Sequence, residues 1–409
     1  MTPCSSGGNP AATVRTDDVV AFRLHAHHLD RRRPLDDLFG VVGACGLQDS
    51  PPGSALLALH ARVEGVRREF VDRLEGEERS LLQSWSMRGA PFHFPRADAP
   101  VFTAGVLPAT ETARLHLISG VGQALDTLGL GLDETVDLIA EEIATVLAGR
   151  QLAIGELGAE LAEGVAPRLT RMRREKCLAD GPYGMRQQLG EAVVHFCLRI
   201  LALRGIVCLA PRTGNKVPFV LLDDWLGRAL PQVEPDTARA DLLRRYLHCY
   251  GPSSRKDFAS WLGVRTGDVE PWWSTLEAKL VPVDVDGRSA WTLVEDLDAL
   301  RSPPPAAGVR LLPPHDPYLQ MRDRASIVGT KHHAQVWKTV GGPGAVLADG
   351  RIVGTWRPRK SGRTLTLTLE TFEPLDVAVR EQLRAEAEQV AVLRGASAVQ
   401  VEFGDGTAC

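Results

Sequence analysis

DTARADLLRRYLHCYGPSSRKDFASWLGVRTGDVEPWWSTLEAKLVPVDVDGRSAWTLV, residues 236–294, reads as three helices followed by a hairpin. The first helix ends at Gly251. Ser253 or Ser254 offers a side-chain oxygen to cap the second, and Gly263 closes it. TGDVEPWWSTLEAKL supplies the third. The remainder turns at Asp286-Gly287, a pair suited to the two positive-φ positions of a tight β-turn. Three helices and a wing make the winged-helix form of the helix-turn-helix.

The same plan recurs upstream. Helices are predicted at 17–29, from Pro34 to Ala44, from Ser54 and from about Arg67 to Leu74. SLLQSWSM and APFHFP then flank Arg88-Gly89 as a hairpin. Residues 132–149 and 191–205 carry apolar side chains at three- and four-residue steps, as amphipathic helices do. IVCLAP and VPFVLL surround the basic tip RTGNK (212–216), a second wing. RSPPPAAG (301–308) is a linker. Beyond it AVLADGRIVGTW turns at Asp349-Gly350, RPRKSGR (357–363) is a basic tip, TLTLTLETF alternates as a strand, 376–395 is helical and SAVQVEF closes with a strand. The fold class is mainly α with small β wings, that is α+β. The domains are a winged helix at 13–105, a helical region and winged helix at 106–232, a third winged helix at 233–300, the linker, and an α+β module with a basic hairpin at 309–409.

Bulk properties narrow the classes. A chain of 409 residues exceeds one ordinary core and suggests two to four domains. No run of about 18 apolar residues occurs and no secretory signal opens the chain, so a cytoplasmic protein is expected. The first dozen residues are small and polar and should be loose. Seven scattered cysteines without a CxxC pair indicate neither a disulfide framework nor a zinc site. His25, His27 and His28 cluster, but 27 does not share a helical face with the other two, and no metal is expected. The formal charge of -4 does not advertise nucleic acid, yet arginine carries most of the positive charge and several cations fall at predicted hairpin tips.

SWSMRG (84–89), APRTGNKVPFVLLDDWLG (210–227), RRYLHCYGPSSRKDFASWLG (244–263), DGRSAWTL (286–293), LLPPHDPYLQMRDRA (311–325) and DGRIVGTWRPRKSGR (349–363) together resemble the AlkZ-like family of winged-helix DNA glycosylases. The stretches keep their order across nearly the whole chain. The resemblance implies three tandem winged-helix domains in a C-shaped arrangement, a basic concave face for double-stranded DNA, and hydrolysis of the N-glycosidic bond of alkylated purines. Some members protect antibiotic-producing bacteria from their own alkylating product. The family's catalytic motif, Gln-apolar-Gln in the loop after the second helix, falls on Gly46-Leu47-Gln48. The second Gln is present and the first is Gly.

Beside that resemblance stands the chemistry of the residues themselves. An N7-alkylated purine is already cationic and leaves easily, so the enzyme must chiefly place a water and stabilise an oxocarbenium-like sugar. The Gln48 amide can orient water but cannot accept its proton; Asp49 next to it could, if it points inward. No lysine precedes residue 176, which argues against an amine nucleophile near this loop and for a monofunctional hydrolase without a cofactor. The plain alternative for GLQDSPPG is an interhelical turn in which Asp-Ser starts the next helix. His315 and Asp316 could be a base and its orienter, or a turn after the strand LLPP, since adjacent residues rarely face each other. Arg88, Arg212, Lys216, Arg357, Arg359, Lys360 and Arg363 are the candidate DNA contacts; solvated turns are the competing reading. Trp85, Trp225, Trp261, Trp272 and Trp273 could stack on bases, but those on amphipathic helices suit packing better. Two rivals to a monomeric glycosylase remain: a non-catalytic winged-helix DNA-binding protein, which should show a sequence-specific site, and a protein-interaction module, which should show no salt-dependent DNA affinity.

Overall fold

A computed structural model describes residues 12–183 and 187–404. The described residues form two compact units, one within 12–68, 243–258 and 276–404, the other within 69–242 and 259–275. The expectation of a loose N-terminus falls on residues 1–11, outside the described residues. Ala12 itself begins a strand.

The first unit holds helices Thr16–Ala26, Leu38–Cys45 and Ser54–His60, the end of helix Pro235–Tyr250, and two sheets. In the smaller sheet the hairpin Leu280–Val285/Arg288–Leu293 turns at Asp286 and Gly287, with φ of 47° and 84°. The unforeseen strand Ala12–Val14 runs parallel to Leu280–Val285. Asp286 holds it there by accepting from the backbone nitrogen and hydroxyl of Thr16 at 2.9 and 2.6 Å, which also caps the following helix. Val14, Val19, Phe22, Val283, Val285 and Leu300 close over this junction as a small core.

The larger sheet runs Val309–Leu312, Gly344–Ala348, Arg351–Ser361, Thr364–Thr371, Ala398–Gly404. Its strands are antiparallel except for the last pair, which helix Val377–Leu393 connects. A parallel pair needs such a crossover, and the helix covers the sheet with Leu383, Ala387 and Val390 while Leu365, Leu367 and Leu369 face inward from the strands. RPRKSGR is not all tip: Arg357, Arg359 and Lys360 lie in the strand, paired with Thr368, Thr366 and Leu365, and only Gly362 and Arg363 sit at the turn.

In the second unit, hairpin Leu81–Trp85/Pro91–Pro95 and hairpin Val207–Leu209/Pro218–Leu221 do not stand apart as separate wings. They join edge to edge at Gln83 and Leu209, and Leu152–Ala153 covers the far edge. Two short hairpins thereby each lose an exposed edge. Helices Leu132–Val146, Ile154–Val165 and Leu189–Leu203 pack together beside them; Cys197, Leu198, Ile200 and Leu201 are fully buried. Trp261, Trp272 and Trp273 are buried as well, so they serve packing in this unit. Among the described residues no helix is long and apolar enough to cross a membrane.

Candidate active site and candidate DNA contacts

Helix Leu38–Cys45 stops because Gly46 turns to φ 69°, ψ 154°, a region open essentially to glycine. Its nitrogen still bonds the Val42 carbonyl. Gln48 follows on the two-residue strand Leu47–Gln48 and is buried. Asp49 is half-buried, and its Oδ1 accepts from the Gly53 and Ala55 nitrogens at 2.7 and 3.1 Å. That oxygen therefore satisfies two amides at the start of helix Ser54–His60, the helix-starting role the turn reading predicted. Helix Pro235–Tyr250 secures the approach to the loop: Arg245 donates to the Gly43 carbonyl and the Cys249 thiol to that of Ala44.

The charged group that organises this region escaped the sequence reading. Arg62, 1% exposed, grips Asp316 with both terminal nitrogens at 2.8 Å and also donates to the His27 and Ala58 carbonyls. Burial alone would pull the Arg62 guanidinium down, but the Asp316 charge and hydrogen bonds hold it above its ordinary value. Asp316 in turn caps Tyr318. The carboxylate is thus committed to Arg62, while His315 is exposed at φ 59° with Nδ1 3.4 Å from the Gln320 amide nitrogen. The structure does not join His315 and Asp316 as base and orienter; they occupy the turn of the plainer reading. Nearby, Arg32 and His60 enclose Glu386. Burial would raise its carboxyl, but those partners hold it down to about 2. His28 is pushed down to about 3 by burial and by the Arg33 and Arg62 charges, so it is neutral at ordinary pH. The sequence signals for this network were Arg62 within the apolar run SALLALHARVEG and the Asp of PHDP.

The three histidines do not share a helix, which ends at Ala26. His25 pairs with Asp30 at 2.9 Å. His27 is buried beside Cys45 and Cys249, residues from two other helices.

The candidate DNA contacts divide by environment. Arg212 and Lys216 are exposed on a tip whose Thr213 and Lys216 pair across the turn. Arg212 donates to the Asn215 carbonyl and Lys216 to Glu156 at 2.7 Å; both partners of that ion pair are more than half exposed, so it holds the lysine weakly. In the larger sheet Arg359 and Arg363 are exposed, Arg357 donates to the Gly341 carbonyl, and Lys360 caps the C-terminus of helix Val377–Leu393 through the Arg394 and Gly395 carbonyls. Arg88 differs from all of these. Its guanidinium bonds the Trp261 carbonyl and lies over the Phe92 ring, and Gly263 (φ 97°) leaves room where a Cβ would come within 3.0 Å of the Arg88 side chain.

Comparison with known proteins settles the family. The model of the DNA glycosylase AlkZ-like family matches residues 41–392. The chain belongs to the AlkZ-like DNA glycosylase family. It is similar to the interstrand DNA cross-link repair glycosylase of Streptomyces sahachiroi, with 29% identity over 397 residues that cover 94% of this chain and 98% of the relative. The solved structure of Streptomyces sahachiroi DNA glycosylase AlkZ matches with a TM-score of 0.73 at 26% identity, covering 96% of this chain and all of that one. The α+β fold class, the resemblance read from the six sequence stretches and the assignment as a DNA glycosylase all hold. Membership rests on the span of the match, which includes Gly46, Gln48, Arg62 and Asp316.

Proposed function

We propose that this DNA glycosylase hydrolyses the N-glycosidic bond of N7-alkylated purines in duplex DNA, bulky adducts included, through a water oriented by Gln48. The reading is carried by the position of Gln48, a buried amide on a short strand anchored on one side by Gly46 and on the other by the Asp49 cap. A neutral amide suits a cationic leaving group, because the chemistry asks for a placed water and stabilised positive charge more than for a strong acid. Asp49 receives the proton, or fixes the loop from which Gln48 acts. His315 is left out because its carboxylate neighbour is spent on Arg62. The relative named for interstrand cross-link repair supports a substrate larger than a methylated base.

Arg212, Lys216, Arg357, Arg359, Lys360 and Arg363 lay positive charge along the phosphates without reading sequence; Arg88 is spent on Trp261 and does not take part. The enzyme acts as a monomer on chromosomal DNA in the cytoplasm and leaves an abasic site without nicking the strand.

The test is single-turnover base release from three duplexes: one with N7-methylguanine, one with a bulky N7-guanine adduct and one with an interstrand cross-link, each also offered to Gln48→Ala. Release that is lost in the variant supports the reading, and the preferred duplex names the substrate. Tight binding with no release from any duplex would favour the non-catalytic DNA-binding alternative and make Gly46 its cause.

A further inference from the structure

We propose that His27, Cys45 and Cys249 supply three ligands of a buried binding site for a thiophilic d10 metal ion, zinc(II) being the probe. One imidazole nitrogen and two thiol sulfurs, from three separate parts of the chain, lie within 4.8 Å of one another. Cys45 Sγ is 3.8 Å from His27 Nδ1. In a tetrahedral site with Zn–S of about 2.3 Å and Zn–N of about 2.0 Å, ligand atoms sit roughly 3.5–3.8 Å apart. The three side chains thus need only a small contraction to hold one ion between them.

The surroundings are those of a ligand set and unlike those of an ordinary core histidine. His27, Cys45 and Cys249 are 1%, 4% and 0% exposed. The imidazole stands edge-on to Tyr250 and Tyr318, with ring centroids at 4.8 and 5.6 Å, and Arg62 fixes its backbone by bonding the carbonyl. Yet Nε2 has no hydrogen-bond partner, and Nδ1 faces only the long contact to sulfur. Burying an imidazole so poorly satisfied costs free energy; a metal bond would give Nδ1 a strong partner in place of the long sulfur contact, while Nε2 would carry the ring proton. The Cys249 thiol faces the Cys45 sulfur and the Ala26 and Ala44 carbonyls, the last two at 3.8 and 3.5 Å. Those two oxygens border the cluster as hard donors; the three side chains are the soft set that selects zinc over magnesium or calcium.

Charge balances. Zinc(II) displaces one proton from each thiol, so a dication enters, two protons leave, and the buried region gains no net charge. The Arg62–Asp316 pair beside it is already neutral. Because the cluster is enclosed, the ion enters as the chain folds.

Its position gives it a consequence. Cys45 ends helix Leu38–Cys45, immediately before Gly46-Leu47-Gln48; Cys249 is in helix Pro235–Tyr250; His27 caps helix Thr16–Ala26. An ion here would clasp the start of the loop to two other helices.

The proposal does not rest on the glycosylase mechanism, and its test reads metal directly. The full chain is refolded with cobalt(II) as a spectroscopic stand-in, and zinc is then titrated against a chromophoric chelator. One equivalent of cobalt with an intense thiolate charge-transfer band, displaced by zinc, is expected. Zinc should also raise the melting temperature. Cys249→Ser should weaken zinc by more than the 10–100-fold that even residues supporting a ligand cost. Should that variant fail to fold, the cobalt spectrum of the unaltered protein decides alone. A folded protein with no thiolate band and a melting temperature indifferent to zinc overturns the proposal, as does zinc binding undiminished in a folded Cys45→Ser/Cys249→Ser double variant.

Discussion

The loop at Gly46–Ala55 and the basic strand at Arg351–Ser361 belong to the same unit but place their polar groups in opposite ways. In the loop, Gln48 is buried and Asp49 has one oxygen shared between two backbone amides. On the strand, Arg359, Lys360 and the turn residue Arg363 are exposed, and their neighbours are backbone carbonyls, a serine hydroxyl or solvent. A buried, anchored group acts singly, because nothing nearby can replace it. Exposed cations act additively, since each contributes a similar screened attraction to a phosphate. The chain uses the first arrangement where chemistry is proposed and the second where binding is proposed.

The sharpest way to break that contrast is Gln48→Ala. Loss of one preorganised polar group should lower single-turnover release by about 100–1,000-fold, with DNA affinity nearly unchanged in a binding titration. A variant that releases base at the parent rate would remove Gln48 from the site. On the other side, Arg357→Ala, Arg359→Ala and Lys360→Ala together should weaken binding to every sequence. The slope of log K against log salt should flatten by roughly three if all three meet phosphates. Arg357 and Lys360 also hold backbone carbonyls, so the melting temperature is recorded alongside. A slope that does not move would put the DNA elsewhere.

The sequence was most readable where conformation is decided locally. Asp286-Gly287 and Asp349-Gly350 turn where the dipeptides said they would, with φ of 47° and 84°, and 44° and 80°. The long amphipathic helices fall within a few residues of their predicted ends. What escaped depends on partners distant in the chain. Ala12–Val14 is too short to show a period and becomes a strand only against Leu280–Val285. The two hairpins of the second unit read as independent wings because nothing local announces that Gln83 meets Leu209. The basic run 357–360 looked like a tip until its partner was counted: Thr364–Thr371 is eight residues long and pairs residue by residue back to Gly354. In the candidate site, Gln48 was legible only through the resemblance to the family, and the helix-starting role of Asp49 from local pattern. The Arg62–Asp316 pair and the His27, Cys45, Cys249 cluster were not, since each joins residues from separate helices or loops.

Gly46 tests whether the family's missing glutamine could simply be put back. At φ 69° and ψ 154° any side chain is strained, so Gly46→Gln should cost about 1–3 kcal/mol of stability. It should also fail to raise base release. Denaturant melts and the release assay check the two halves separately. Faster release without loss of stability would mean that the loop relaxes readily, and that its anchoring is looser than the contrast with the basic strand requires.

The smallest expected effect separates the two roles open to Asp49. As a cap, its carboxylate needs only an acceptor oxygen, which asparagine keeps and alanine lacks. Asp49→Ala should then cost about 1 kcal/mol, and Asp49→Asn a fraction of that. As a base, what matters is the proton, which neither variant can take. Equal loss of release in both, beside unequal loss of stability, therefore assigns Asp49 to the chemistry. Release that survives in Asp49→Asn and falls only in step with stability in Asp49→Ala confines it to the loop. In that case a second solvent water, or the substrate itself, receives the proton, as an easily departing cationic base allows. Gln48 would then stand as the single polar side chain of the loop on which the reaction depends.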